Sequence, residues 1–184
     1  MGALREEYLP SYTYSDYAEW EGRWELIDGI AYAMAPAPMR IHQNLAYEIA
    51  HRLRLEIDKC KACEVLGEID YKVSDDTVLR PDVVLTCGET NEAYLTKAPE
   101  IVVEVISPST ASRDEKYKFE IYEKEKVNYY ILLYPNELIA KVYKLDGKSY
   151  DKQGTFATES YTFEETSCKV TLNFSEVFKR YRNK

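Results

Sequence analysis

The chain has 184 residues, 45% of them hydrophobic and 30% charged, with a formal net charge of −8. These values fit one globular domain, taken as residues 1–184 with its core at about 13–182, and exclude a disordered chain. They also argue against broad, nonspecific nucleic-acid binding, which needs a basic footprint, although a bound metal ion can supply positive charge locally. No apolar run approaches a membrane span, and the opening MGALREEYLP lacks the basic and apolar regions of a signal peptide. The expectation is a cytoplasmic protein with no membrane partner.

In chain order, TYSDYAEW opens a helix with Thr13 or Ser15 as cap. WELIDGIAYAMA reads as two strands around Asp28-Gly29, a favourable two-residue hairpin turn, and PAPMR breaks the pattern. IHQNLAYEIAHRLRLEIDKC is helical, because Ile41, Leu45, Ile49, Leu53 and Ile57 recur every four residues. EVLGEIDYKV and VLRPDVVLTC are strands; the proline of the second sits near its start, where a missing amide is tolerated. EIVVEVIS is apolar nearly throughout, as expected of a central strand covered on both faces. PSTASRDEKYKFEIYEKEK follows as a helix, then VNYYILLYP as a strand, LIAKVYKLDGKSY as a strand and turn, and SEVFKRY as a closing helix. Strand, helix, strand in the middle favours a parallel crossover, and the rest is hairpins. The fold class is therefore α/β (α+β), with a mixed sheet and a long helix packed on it.

Cys60 and Cys63 form a C-x-x-C, CKAC. A zinc site would need a second pair or suitably spaced histidines, and a redox motif would normally open a helix. CKAC instead reads as two small residues at a helix end. The seventeen tyrosines are spread over helices and strands, as rings that pack while their hydroxyls stay wet. Tyr129, Ile131 and Leu133 fall on one side of their strand, and Tyr130, Leu132 and Tyr134 on the other. Two apolar faces beside few helices point to a homodimer with some of these tyrosines at the interface, unless the closing helix covers that face.

Two acids stand inside apolar runs: Asp82 in PDVVLTC and Glu104 in IVVEVIS. A buried carboxylate is costly unless it is paired, hydrogen-bonded or bound to a cation. Glu104 interrupts the face of Val102 and Ile106. If the two strands are antiparallel, Asp82 meets it at the same sheet end. Such a pair suits magnesium, which takes one or two carboxylates and keeps waters; the alternative is a separate hydrogen bond for each acid. On the following helix Asp114, Lys118 and Tyr122 share a face, so Lys118 either reaches back to the acids or forms an ordinary surface pair with Asp114.

RPDVVL, PEIVVEVISPST and SRDEKYKFEIYEKEKVNYYILLYP, together with the earlier WELIDGIAYAMAPAPMRIHQNL, resemble the Uma-two family of restriction-endonuclease-like proteins, within the PD-(D/E)XK nuclease superfamily. The likeness runs from about YSDYAEW to SEVFKRY. It implies a mixed central β-sheet flanked by helices, and a Mg²⁺- or Mn²⁺-dependent DNA endonuclease; a nuclease-fold binding protein with little or no catalysis is the alternative. Carried over, Asp82 and Glu104 hold the metal with the backbone carbonyl of Val105. Ile106 stands where the lysine of the E-x-K motif would be, and Lys118 on the helix takes that role. Glu25 and His42 match family positions as accessory residues. The chain departs from the family's EYW…DP pattern: Tyr129 and Tyr134 replace acids, and Lys126 replaces a small residue in the preceding turn.

Overall fold

The computed structural model describes residues 10–34 and 39–182. Most of the break expected at PAPMR, residues 36–40, lies outside them. A short helix α1 (Tyr14–Tyr17) leads into a hairpin of β1 (Trp24–Ile27) and β2 (Ile30–Ala33). Its turn is the expected Asp28-Gly29, with φ of 49° and 75°, the left-handed pair of a type I′ turn. Helix α2 (Arg40–Glu56) follows, then β3 (Cys63–Gly67), β4 (Tyr71–Lys72), β5 (Val78–Leu79), β6 (Val83–Cys87) and β7 (Ile101–Val105). A π-helical turn (Arg113–Tyr117) runs directly into α3 (Lys118–Lys124). The chain continues through β8 (Tyr129–Tyr134), β9 (Ile139–Asp146), β10 (Ser149–Phe156), β11 (Ser160–Phe163) and β12 (Val170–Asn173) to α4 (Phe174–Arg182).

A six-stranded sheet in the order β10-β9-β8-β7-β6-β3 forms the centre. Its β7–β8 pair is parallel and the other neighbours are antiparallel, so the sheet is mixed as expected. The parallel pair is the one joined through α3, because only a crossover can bring a strand back in the same direction. A four-stranded sheet, β2-β1-β5-β4, and the β11–β12 hairpin are separate. Two segments read as single strands are each divided. EVLGEIDYKV gives β3 to the central sheet and β4 to the small one, and VLRPDVVLTC gives β5 and β6 in the same way. The chain crosses between sheets at Glu68, which has a φ of 54°, and at Arg80-Pro81.

Alternation along the central strands sorts the core into two halves. Val103, Val105, Tyr129, Ile131 and Leu133 face α2, α4 and the β11–β12 hairpin. Leu45, Ile49 and Leu53 of α2 are fully buried there, each contributing roughly 1.5–3 kcal/mol. On the other face Val84, Val102, Tyr130 and Leu132 pack with Tyr122 of α3 and with Ile27, Tyr71 and Leu79 from the small sheet. Both faces of β8 are thus covered within the chain. Tyr129 and Tyr130 are almost wholly buried, which corrects the expectation that they lie at a subunit interface. Phe174, Val177 and Phe178 of α4 cover the Tyr129 side. The β11–β12 hairpin, unread in the sequence, supplies Phe163 against the Tyr129 ring.

The cysteines correct a second expectation. Cys63 is joined by a disulfide to Cys87, its partner across β3 and β6. Cys60 is joined to Cys168, just before β12. The C-x-x-C spacing drew attention to one local pair, whereas each sulfur meets a distant partner, 24 and 108 residues away. Closing loops of that size removes denatured-state entropy worth roughly 3–5 kcal/mol per bond. Thermal melts with and without reductant should therefore differ strongly; coincident melts would mean that the bonds add no stability.

Lys126 ends α3 in the left-handed region, with a φ of 63°. Its N–H donates to Glu123 O and that of Val127 to Tyr122 O, the paired bonds of a Schellman cap, whose left-handed position favours glycine. Lys126→Gly should stabilise the protein by about 1 kcal/mol, a melting temperature higher by about 2–4 °C. A lower melting temperature would show that the lysine side chain contributes more than its backbone costs.

Candidate active site

The β6–β7 register pairs Val84 with Val102 and Val83 with Val103. One step further sets Asp82 opposite Glu104, so the antiparallel condition for the two acids to meet is fulfilled. The Val105 N–H donates to Asp82 Oδ2 at 2.7 Å. His42 Nε2, from the first turn of α2, lies 3.2 Å from the same oxygen. Burial works against the His42 cation, but the hydrogen bond and charge of Asp82 outweigh it and raise the imidazole pKa above its ordinary value.

Glu104 is buried, and its Oε1 accepts from Lys118 Nζ at 2.8 Å and from the Tyr122 hydroxyl at 3.1 Å. Lys118 Nζ also lies 2.6 Å from Glu25 Oε1 and 3.5 Å from Asp114 Oδ1. At 3% exposure it is no surface partner of Asp114, and the surface-pair alternative is overturned. Glu25 reaches the centre from β1 of the small sheet. It also accepts the Arg80 N–H at 2.9 Å and Arg113 Nη1 at 3.1 Å. One carboxylate thus ties the small sheet to the central sheet and to the helix after β7.

The π-helical turn sets the spacing. The Lys118 N–H donates to Arg113 O, five residues back. This wider turn, a feature often found at functional sites, leaves both Asp114 and Lys118 buried. Two tyrosines of β8 hold it. Tyr130 donates its hydroxyl to the Asp114 carbonyl at 3.0 Å, and Tyr134 donates to Glu115 Oε1 at 2.5 Å. Tyr134 is one of the departures from the family pattern; here it fastens the turn to the sheet.

A cavity of ≈ 310 Å³ is lined by Glu25, Asp82, Glu104, Asp114, His42, Arg113 and Lys118, among others. Four carboxylates there share the two cations Lys118 and Arg113. Arg23, also on the wall, is paired with Glu68. Burial pushes the Glu104 carboxyl well above its ordinary pKa; Lys118 opposes this, and Asp114, Asp82 and Glu25 add to it. Lys118 is held well above the usual lysine value because its three acids outweigh its desolvation. Tyr122 and Tyr130 are also raised, first by burial, so both remain neutral donors.

Among the described residues, no group of three or more His, Cys, Asp or Glu side chains is already arranged to hold a metal ion. The donor chemistry nevertheless fits one. Asp82 uses Oδ2 and Glu104 uses Oε1 for the contacts above, which leaves the second oxygen of each for a cation. Two carboxylates with waters suit magnesium. Of the residues expected from sequence, Asp82, Glu104, Val105, Lys118, Glu25 and His42 all line this cavity. Arg113 was missed. Its contact with Glu25 spans 88 residues, and nothing in its local spacing signals it.

A mixed sheet carrying acids at the ends of two adjacent strands, with a lysine on the crossover helix, is the arrangement of a nuclease-type fold. The crystal structure of a "putative nuclease belonging to DUF820" from Anabaena variabilis ATCC 29413 matches with a TM-score of 0.71 at 15% identity, covering 91% of this chain and 97% of that one. The Uma2 family, described as "Putative restriction endonuclease", matches residues 6–173. The chain belongs to the Uma2 family. No curated protein matches it.

Lys118→Met removes the cation central to this cluster. Losing one partner of a buried ionic network costs about 3–5 kcal/mol. The loss should depend on pH. With its folded pKa raised, Glu104 contributes stability that is fully present below its unfolded value near 4.5 and is lost as pH rises through the folded value. The variant should thus be weakest near neutrality and recover on acidification. Denaturant titrations across pH check this; a variant as stable as the parent at pH 7 would refute the clamp.

Proposed function

We propose that the protein is a divalent-metal-dependent DNA endonuclease that hydrolyses phosphodiester bonds, with Asp82, Glu104 and Lys118 as its catalytic residues. The observation that carries the reading is one buried lysine, Lys118, held by Glu25, Glu104 and Asp114, with Asp82 opposite Glu104 across two paired strands. In this reading Asp82, Glu104 and the Val105 carbonyl hold Mg²⁺ or Mn²⁺. When bound, the ion would activate a water and stabilise the leaving oxyanion. The Val105 N–H and His42 keep the Asp82 carboxylate in place. Tyr122 orients Glu104, and Glu25 with Arg113 positions Lys118. Lys118, relieved of part of its contact with Glu104, would present its charge to the scissile phosphate. The whole chain acts as one domain in this proposal, and no membrane partner is involved; no helix of the described residues is long and apolar enough to cross a membrane.

A homodimer is the simple way to place one cut on each strand. Tyr129 and Tyr130, first placed at or near its interface, are buried, so the contact would not use them, and sedimentation at micromolar concentration tests it. A cytoplasmic setting is also part of the proposal, constrained by the disulfides, which persist there chiefly in hyperthermophiles. The second reading, a nuclease-fold binding protein with little catalysis, draws on Lys118 itself, whose ammonium is already engaged by three acids.

Mg²⁺ or Mn²⁺ at 100 times its dissociation constant should stabilise the protein by roughly 2.7 kcal/mol, and an Asp82→Ala/Glu104→Ala variant should lose the response. Metal-dependent cleavage of linear, nicked, branched and single-stranded DNA should vanish in Asp82→Ala. In Lys118→Met, assayed where the variant is folded, it should fall about a hundredfold or more while metal binding is retained. Metal binding without cleavage would select the binding-protein reading; an unresponsive melting curve would remove the metal.

A further inference from the structure

A second, larger cavity of ≈ 590 Å³ lies between α2 and the β3–β6 edge of the central sheet. It shares Arg23, His42 and Asp82 with the acid-lined cavity, so the two adjoin. Its floor is small and apolar: Ala46 and Ala50 from α2, Val65 and Gly67 from β3, and Val83 from β6. Its rim carries Tyr47, His51 and Arg54, spaced along α2 at four and three residues and all exposed. Arg54 is fixed by two N–H donations to the Val65 carbonyl, at 3.3 and 3.0 Å. No carboxylate among the described residues forms an ion pair with it. Tyr47 is 74% exposed, the highest value among the described large hydrophobic side chains that are exposed.

We infer that this groove binds a single-stranded segment of DNA and leads it to the acids. The inference rests on the nuclease reading and adds the substrate's form and path. A duplex presents mainly phosphates to a shallow groove and pairs its bases inward, and an apolar floor has nothing to offer it. An unpaired strand exposes base faces, which stack on aromatic side chains, and a backbone that tracks cations. Here Tyr47 is the stacking surface, the alanine and valine floor receives the bases, and Arg54 meets phosphates, since Arg23 is already paired with Glu68 on the same wall. The net charge of −8 fits as well: without a broad basic face, affinity has to come from stacking and a few local cations. Phosphates entering past Arg23 and His42 would arrive beside Asp82.

The test measures binding apart from cutting. Fluorescence anisotropy of a labelled single-stranded oligodeoxynucleotide and of the matching duplex is followed in EDTA, using the full chain and its Tyr47→Ala, Tyr47→Phe and Arg54→Gln variants. Melting curves establish that each variant is folded. The single strand should bind more tightly than the duplex. Tyr47→Ala and Arg54→Gln should each weaken it on the order of tenfold, while Tyr47→Phe, which keeps the ring, should restore it. Equal affinity in Tyr47→Ala, or a preference for duplex, overturns the inference. DNA cleavage that ignores Tyr47 and Arg54 would overturn it and leave the nuclease reading standing. Tyr47-dependent binding without any metal-dependent cleavage would support the groove and sink the nuclease.

Discussion

The ammonium of Lys118 is the constraint around which this structure is arranged. It lies within ion-pair distance of Glu25, Glu104 and Asp114, which come from β1, β7 and the π-helical turn. Without it these carboxylates would repel in a medium of low dielectric, where each charge costs several kcal/mol to bury. With it they become the junction between the small sheet, the central sheet and the helix that connects β7 to β8. Positioning Lys118 in turn demands the π-helical turn, and the turn is held by Tyr130 and Tyr134. Packing of the far core is ordinary by comparison: apolar alternation on the strands and a four-residue repeat on α2.

Much of this was legible from local pattern. Glu104 betrayed itself because a single acid stood in a strand otherwise apolar on both faces. Asp82 could be paired with it by asking which strand direction would bring the two together. The spacing of Asp114, Lys118 and Tyr122 identified one helix face, and that face does turn inward. The Asp28-Gly29 turn and the parallel crossover around α3 followed from backbone chemistry that acts over a few residues. The family likeness then supplied roles that spacing alone left open, including the lysine moved from the Ile106 position to the helix.

What stayed hidden depends on contacts between distant segments. The β11–β12 hairpin carries no strong turn signal, yet its Phe163 and the α4 side chains determine that Tyr129 is interior. The count of helices was therefore a poor guide to whether β8 needed a partner subunit. The disulfides were hidden for the same reason. Cys63 and Cys87 meet only because β3 and β6 pair in one particular register, and Cys60 meets Cys168 only after the hairpin docks. Strand divisions at Glu68 and at Arg80-Pro81 were invisible because each half, read alone, is a good strand.

The same lysine that makes the acid cluster tolerable also opposes a metal there. A divalent cation and Lys118 compete for the charge on Glu104, so the site cannot be optimal for both. The geometry divides the carboxylate oxygens: Lys118 and Tyr122 meet Oε1 of Glu104, while Val105 and His42 meet Oδ2 of Asp82. Each acid is thereby oriented by one oxygen. Adding positive charge at the other oxygen would weaken the hold of Glu104 on Lys118 without dismantling the cluster, because Glu25 and Asp114 still retain the ammonium. The proton that burial favours on Glu104 would be displaced at the same time. An acid-rich pocket of this kind needs some such internal cation, and the wide turn before α3 allows the chain to supply it from a helix rather than from the strand that carries Glu104.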